Sequence, residues 1–176
     1  MFKIICVTDD NPPIHETRFR QKILNHADSI ILRQKNLNDE AYETLCKDVM
    51  QWCNKEQLYA HNHVNVALKL GIKKIHLSFD AFLQCDSLEH FTHVGVSVHS
   101  QEEAHLASKA DYLVVGNIYE TTCKVGLEGK GIAFLRDMCL KIQTPIYAIG
   151  GVVPEKFCEL KAAGAKGVCM MNWFVR

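Results

Sequence analysis

Eight short apolar runs, each too short to be a helix, recur along the chain with amphipathic helical stretches between them. They fall at residues 3–8, 28–33, 57–60, 73–77, 93–98, 112–116, 145–149 and 167–171. Strands separated by helical crossovers pair in parallel, because a parallel neighbour needs a long connection. Eight is also the number at which such a sheet closes on itself. The expected fold is therefore α/β, a (β/α)8 TIM barrel. An open doubly wound sheet is the competitor, but the G-x-G-x-x-G fingerprint of its dinucleotide-binding form is absent after the first strand.

The helices carry their own punctuation. Asn38 is a plausible N-cap ahead of apolar Leu45, Val49 and Trp52. Ser100 and Glu103 match a capping box, and Pro154 and Gly164 bracket the seventh helix. After the eighth run only Asn172 to Arg176 remain, so the last helix is expected to be missing or very short. That would uncover apolar surface between the first and seventh helices, and a homodimer is expected to cover it.

The 176 residues read as one domain, 1–176, with 48% hydrophobic residues and no stretch approaching the ~18 consecutive apolar residues of a membrane span. The start, MFKIICVTDD, lacks the basic region and cleavage site of a signal peptide. Lys+Arg and Asp+Glu both total 20, which offers no electrostatic case for nucleic acid or membrane lipid as partner. The 8 cysteines contain no C-x-x-C pair and several sit at apolar positions, as expected of reduced thiols in a cytoplasmic protein.

Functional groups of a closed parallel barrel come from the C-terminal strand ends and the loops after them. The strongest signal there is the Gly150-Gly151 pair after the seventh strand, with Met171 and Asn172 after the eighth. Paired glycines let backbone N–H groups approach an anion, and these two loops are the habitual phosphate site of the architecture. Arg33 and Lys35 alternate with Gln34 and so share a side, suiting an anionic or electron-rich substrate. Asp9 and Asp10 read equally as metal ligands or as turn formers. His61 and His63 form an H-x-H pair of the kind that chelates divalent ions. His63 falls where a helix should begin and no third ligand is placed, so no metal site is expected. His76 and His99 read as inward-facing polar residues satisfied within the barrel.

Residues 31–35 (ILRQK), 95–100 (GVSVHS), 110–116 (ADYLVVG), 119–124 (YETTCK) and 148–151 (AIGG) resemble, in this order, the thiamine phosphate synthase/TenI family. The resemblance runs from about Ile4 to Asn172 and implies a (β/α)8 barrel handling thiazole phosphate. It implies phosphate binding by Gly150, Gly151, Met171 and Asn172, and substrate contacts from Arg33, Lys35, His61, Ser97, Thr121 and Lys124. Lys124, Asn117 and His99 are the residues implied in catalysis.

Two branches of the family differ in chemistry. The synthase joins a pyrimidine methyl diphosphate to thiazole phosphate with magnesium, and its pattern has Asn-Asp after the third strand and Gly-Gln-Glu-Asp after the fourth. Here those positions read His61-Asn62 and Ser78-Phe79-Asp80-Ala81. The TenI branch, thiazole tautomerases that need no metal, is more similar around residues 116–126 and has a histidine where Asn117 stands. The expectation from sequence is a TenI-like thiazole tautomerase without cofactor. A magnesium-dependent thiamine phosphate synthase and a non-catalytic binding or regulatory homologue are the alternatives.

Overall fold

A computed structural model describes residues 1–10, 12–120 and 128–175. The elements are β1 (Lys3–Val7), α1 (Thr17–His26), β2 (Ser29–Leu32), α2 (Asp39–Met50), β3 (Leu58–His61), α3 (Val64–Leu70), β4 (Lys74–Ser78) and α4 (Phe79–Leu83). They continue with β5 (His93–Val98), α5 (Gln101–Leu106), β6 (Tyr112–Val115), α6 (Gly131–Lys141), β7 (Ile146–Ala148), α7 (Phe157–Ala162), β8 (Gly167–Met170) and α8 (Asn172–Val175). All strand pairs are parallel, and β8 pairs back onto β1 to close the barrel in sequence order. The (β/α)8 expectation holds, including a last helix of only 4 residues.

Local chemistry explains the helix starts. The Asn38 side chain accepts from the Ala41 N–H at 2.9 Å, capping α2. The Ser100 hydroxyl accepts from the Glu103 N–H at 3.1 Å. The reciprocal arm of that box is displaced by one residue, because the Glu103 carboxylate accepts from the His99 N–H at 2.6 Å. No described helix is long and apolar enough to cross a membrane.

Period-two alternation divides the buried side chains into two sets. Outward residues such as Cys6, Leu32, Ile75, Val96, Leu113 and Val168 pack beneath the helices. Inward residues form a second cluster of Ile5, Val7, Ile31, Tyr59, Tyr112, Val114 and Cys169. Phe174 of α8 is buried, and Trp173 meets His26 of α1 edge-on at 5.4 Å, so the single turn of α8 covers part of the ground a longer helix would.

One glycine sets the barrel interior. Gly95 lies between His76 and Tyr112 in the β4–β5–β6 register, and a Cβ built there would sit 2.1 Å from Cζ of Tyr112. The Tyr112 ring therefore lies across Gly95, filling space that branched side chains usually fill. Gly95→Ala should cost about 1–3 kcal/mol by overpacking. Shortening the ring as well, in Gly95→Ala/Tyr112→Leu, should recover part of that loss relative to Tyr112→Leu alone. Urea unfolding of the four proteins measures the coupling, and additive losses would contradict the packing described.

Candidate phosphate-binding site

The C-terminal mouth of the barrel opens into a cavity of about 1010 Å³. Its size suits a small molecule. Arg33, Lys35, His61, Ser97, His99, Asn117, Gly150, Gly151, Met171 and Asn172 all line it. Thr121 and Lys124 lie outside the described residues.

The loops after β1 and β2 are stitched together. The Thr8 hydroxyl donates to the Arg33 carbonyl at 3.0 Å and accepts from the Arg33 N–H at 2.8 Å. The Gln34 amide donates to the Asp9 carbonyl at 2.5 Å. One Asp10 carboxylate oxygen accepts from the Lys35 N–H at 3.2 Å and stands 3.7 Å from the Arg33 guanidinium. The Asp10 carboxylate thus cross-links the two loops. Arg33 and Lys35 follow β2 rather than lie within it, and both still face the cavity.

The loops after β6 and β7 are joined as closely. Ile118 N–H donates to the Ile149 carbonyl, and Tyr119 N–H to the Gly150 carbonyl, both at 3.0 Å. Gly150 has φ +101°, and a Cβ there would lie 2.7 Å from the Asn117 side-chain oxygen. Gly151 has φ +62°, and its Cβ would lie 2.5 Å from the Glu120 carbonyl. The pair is therefore required by the approach of the protein's own loop, a reason the motif alone did not give. Among the described residues no backbone or side-chain group accepts from the Gly150 or Gly151 N–H, which leaves both for an anion.

Between these poles stand neutral polar groups. Burial, reinforced by Arg33, holds the His61 imidazole down to about 4, and burial with His61 nearby holds His76 down to about 3. Both rings are uncharged at neutral pH and stack with centroids 6.0 Å apart. His63 caps the start of α3 outside the cavity, stacked on Tyr42 with Nδ1 2.6 Å from Asp39, so the H-x-H residues part company. Among the described residues no three His, Cys, Asp or Glu side chains could hold a metal ion.

Asn62 and Ser78 meet at the mouth. The Ser78 N–H donates to the Asn62 side-chain oxygen at 2.9 Å, and the Asn62 amide reaches the Ser78 hydroxyl at 3.4 Å. Asn62 holds φ 60°, a left-handed conformation that asparagine tolerates better than most residues. Asp80 is exposed on α4, and the cavity wall does not include it.

Sequence reading missed Lys22, a helix residue that lines the cavity. Its ammonium donates to the Trp173 carbonyl and lies 4.4 Å from the Trp173 ring centroid. Nothing in the periodicity of α1 marks it. The expectation of an inward-facing, satisfied histidine holds for His76, with Nδ1 3.1 Å from the Tyr112 hydroxyl and Nε2 2.9 Å from the Ser97 hydroxyl, but not for His99, which follows the end of β5 and is exposed at the mouth.

The fold and this mouth define a (β/α)8 barrel with a polar cleft between its second and seventh loops. The chain belongs to the TMP-TENI family, described as thiamine monophosphate synthase, whose profile matches residues 4–174. A thiamine-phosphate synthase of Nitrosospira multiformis is 29% identical over 148 residues, 80% of this chain and 63% of that protein. One of Halalkalibacterium halodurans is 27% identical over 187 residues, 99% of this chain and 88% of that protein. The thiamine phosphate pyrophosphorylase of Pyrococcus furiosus superposes with a TM-score of 0.76 at 25% identity, over 97% of this chain and 86% of that one.

The neutral His61 makes stability depend on pH. In the unfolded chain it titrates near 6.5 and in the folded one near 4, so between these values the unfolded state binds more protons. Stability should therefore fall as pH drops from about 6.5 toward 4, by at most about 1.4 kcal/mol per pH unit for one imidazole. His76 should add to the same slope and extend it to about 3. Urea midpoints measured from pH 7 to 4 should decline less steeply in His61→Asn, and parallel profiles would show that His61 is not held neutral.

Proposed function

We propose that this family member acts in thiamine biosynthesis as a thiamine-phosphate synthase, joining a pyrimidine methyl diphosphate to a thiazole phosphate. The observation that carries the reading is the presence of two anion-facing poles in one cavity, Gly150-Gly151 after β7 and Arg33-Lys35 after β2. They stand three strand positions apart around the barrel. One pole suffices for one phosphate, and two phosphorylated reactants call for both. The relatives named thiamine-phosphate synthase support the same reaction.

In that reaction the thiazole nitrogen attacks the pyrimidine methylene carbon, a C–N bond forms, and the C–O bond to diphosphate breaks with its electron pair leaving on oxygen. Gly150 and Gly151 N–H groups, with Met171 and Asn172 beside them, would hold the thiazole phosphate. Arg33 and Lys35 would neutralise the departing diphosphate, a task suited to charged donors. Neutral His61 and Ser97 offer hydrogen bonds between the poles, and Asn117 can orient a ring. Thr121 and Lys124 are assigned to the pocket by resemblance alone.

Magnesium, which the family resemblance implies, finds a poor donor set. It is a hard ion that seeks carboxylate oxygens, whereas the loops after β3 and β4 present an amide and a hydroxyl bonded to each other. The residues of these two loops do not fit a resident magnesium, and no step is assigned to one.

That clasp favours a second reading, the metal-free thiazole tautomerase of the TenI branch. Asn117 cannot carry a proton, so His99 or Lys124 would have to.

Diphosphate release from the two precursors, followed with and without chelator, tests the assignment. Release should require both precursors. Arg33→Ala and Lys35→Ala should each raise KM for the pyrimidine diphosphate by about tenfold, leaving thiazole phosphate affinity little changed. No release, together with tautomerisation of thiazole carboxylate phosphate in chelator, would transfer the assignment to the second reading.

A further inference from the structure

At the floor of the cavity, Tyr112, His76 and Ser97 form a hydrogen-bonded chain, and the reaction above assigns no role to Tyr112 or His76. We propose that Tyr112 and His76 are positioning residues that lock the Ser97 hydroxyl as a hydrogen-bond donor toward an anionic group of the ligand. The proposal rests on the reading that this cavity takes a phosphorylated ligand.

The argument is one of proton counting. A neutral imidazole carries one N–H, so one ring nitrogen donates and the other accepts. Burial keeps His76 neutral across the working pH range. Tyr112 is buried inside the barrel, and its hydroxyl has one bonding partner among the described residues, Nδ1 of His76 at 3.1 Å. A phenol has one hydrogen to give, and leaving it unbonded in the interior costs about 1–3 kcal/mol. The phenol therefore donates to Nδ1, which places the imidazole hydrogen on Nε2. Nε2 in turn donates to the Ser97 oxygen 2.9 Å away. Ser97 accepts that bond and keeps its own hydrogen, and no described protein group takes it. Ser97 lines the cavity, so the hydrogen is available to a ligand oxygen.

The opposite tautomer would invert the site. With the hydrogen on Nδ1, the phenol hydrogen would lose its acceptor and Ser97 would donate to Nε2, turning lone pairs toward the ligand and repelling an anion. Gly95 makes the favoured arrangement possible, because its missing Cβ lets the Tyr112 ring reach across β5 to His76. The chain thus sets the polarity that Ser97 presents to the ligand.

Two measurements test this. Long-range proton–nitrogen NMR of ligand-free protein should show His76 protonated at Nε2. Calorimetric titration with inorganic pyrophosphate should show binding weakened about tenfold in Ser97→Ala and in His76→Leu. His76→Gln, whose amide can still donate to Ser97, should retain most of the affinity. The double variant Ser97→Ala/His76→Leu should be no weaker than Ser97→Ala. An Nδ1-protonated imidazole, equal losses in the Leu and Gln variants, or additive losses in the double variant would overturn the relay, and the wild-type NMR decides it even if a variant fails to fold. A wild-type protein that binds no pyrophosphate would overturn the anion-binding reading of the cavity, and the role given to Ser97 with it.

Discussion

Closing eight parallel strands sends every second residue of each strand into a space without solvent, and that constraint orders the rest of this molecule. Around β1, β2 and β8 the space is filled by Ile5, Val7, Ile31 and Cys169. Around β3 to β6 it receives Tyr59, His61, His76, His93, Ser97 and Tyr112, whose polar atoms would be expensive to leave unbonded. Five of them bond to one another, Tyr59 to His93 at 2.9 Å and Tyr112 through His76 to Ser97, while the His61 ring stacks on His76. The apolar half fixes the barrel, and the polar half carries a chain of hydrogen bonds to the floor of the cavity. Gly95 is the pivot, because any larger residue would expel the tyrosine that anchors the chain.

The same constraint explains the charge distribution at the mouth. Two buried imidazoles are kept neutral, so positive charge on the β2 side comes from Arg33 and Lys35, held by the cross-bonds to Thr8 and Asp10. On the β3–β4 side the Asn62–Ser78 clasp spends its hydrogen bonds internally and brings no charge. A ligand therefore meets Arg33 and Lys35 beside Asp9 and Asp10 on one wall, the glycine amides on another and neutral polar groups between.

Much of this was legible in the residues. The eight apolar runs coincide with the eight strands to within about a residue at most ends, because parallel strands buried on both faces leave an unbroken apolar signature. The loop ends named as site residues converge for the same topological reason: a barrel has one C-terminal mouth. The pairings that sequence spacing cannot express were not legible. Asn62 and Ser78 are 16 residues apart and meet only because β3 and β4 are neighbours. Lys22 belongs to a helix whose periodicity gives no sign that its ammonium bends toward Trp173. Gly95 reads in a strand as a weakness, and only the tyrosine on the next strand shows what the space is for.

The glycine pair shows how a correct location can carry an incomplete reason. Read as a motif, Gly150-Gly151 suggests a backbone bared for an anion. In the fold, the absent Cβ atoms face Asn117, Tyr119 and Glu120, while no acceptor among the described residues takes the N–H groups. Both uses follow from the positive φ values, which turn the chain so that one side meets the neighbouring loop and the other meets the cavity. The glycine pair and Asn117 are consequently parts of one unit, held by the Ile118–Ile149 and Tyr119–Gly150 bonds. An anion seated on the glycine amides would be positioned against Asn117 by backbone alone. Exchanging the side chain at residue 117 would then change the chemistry offered to such an anion while leaving the glycine amides in place.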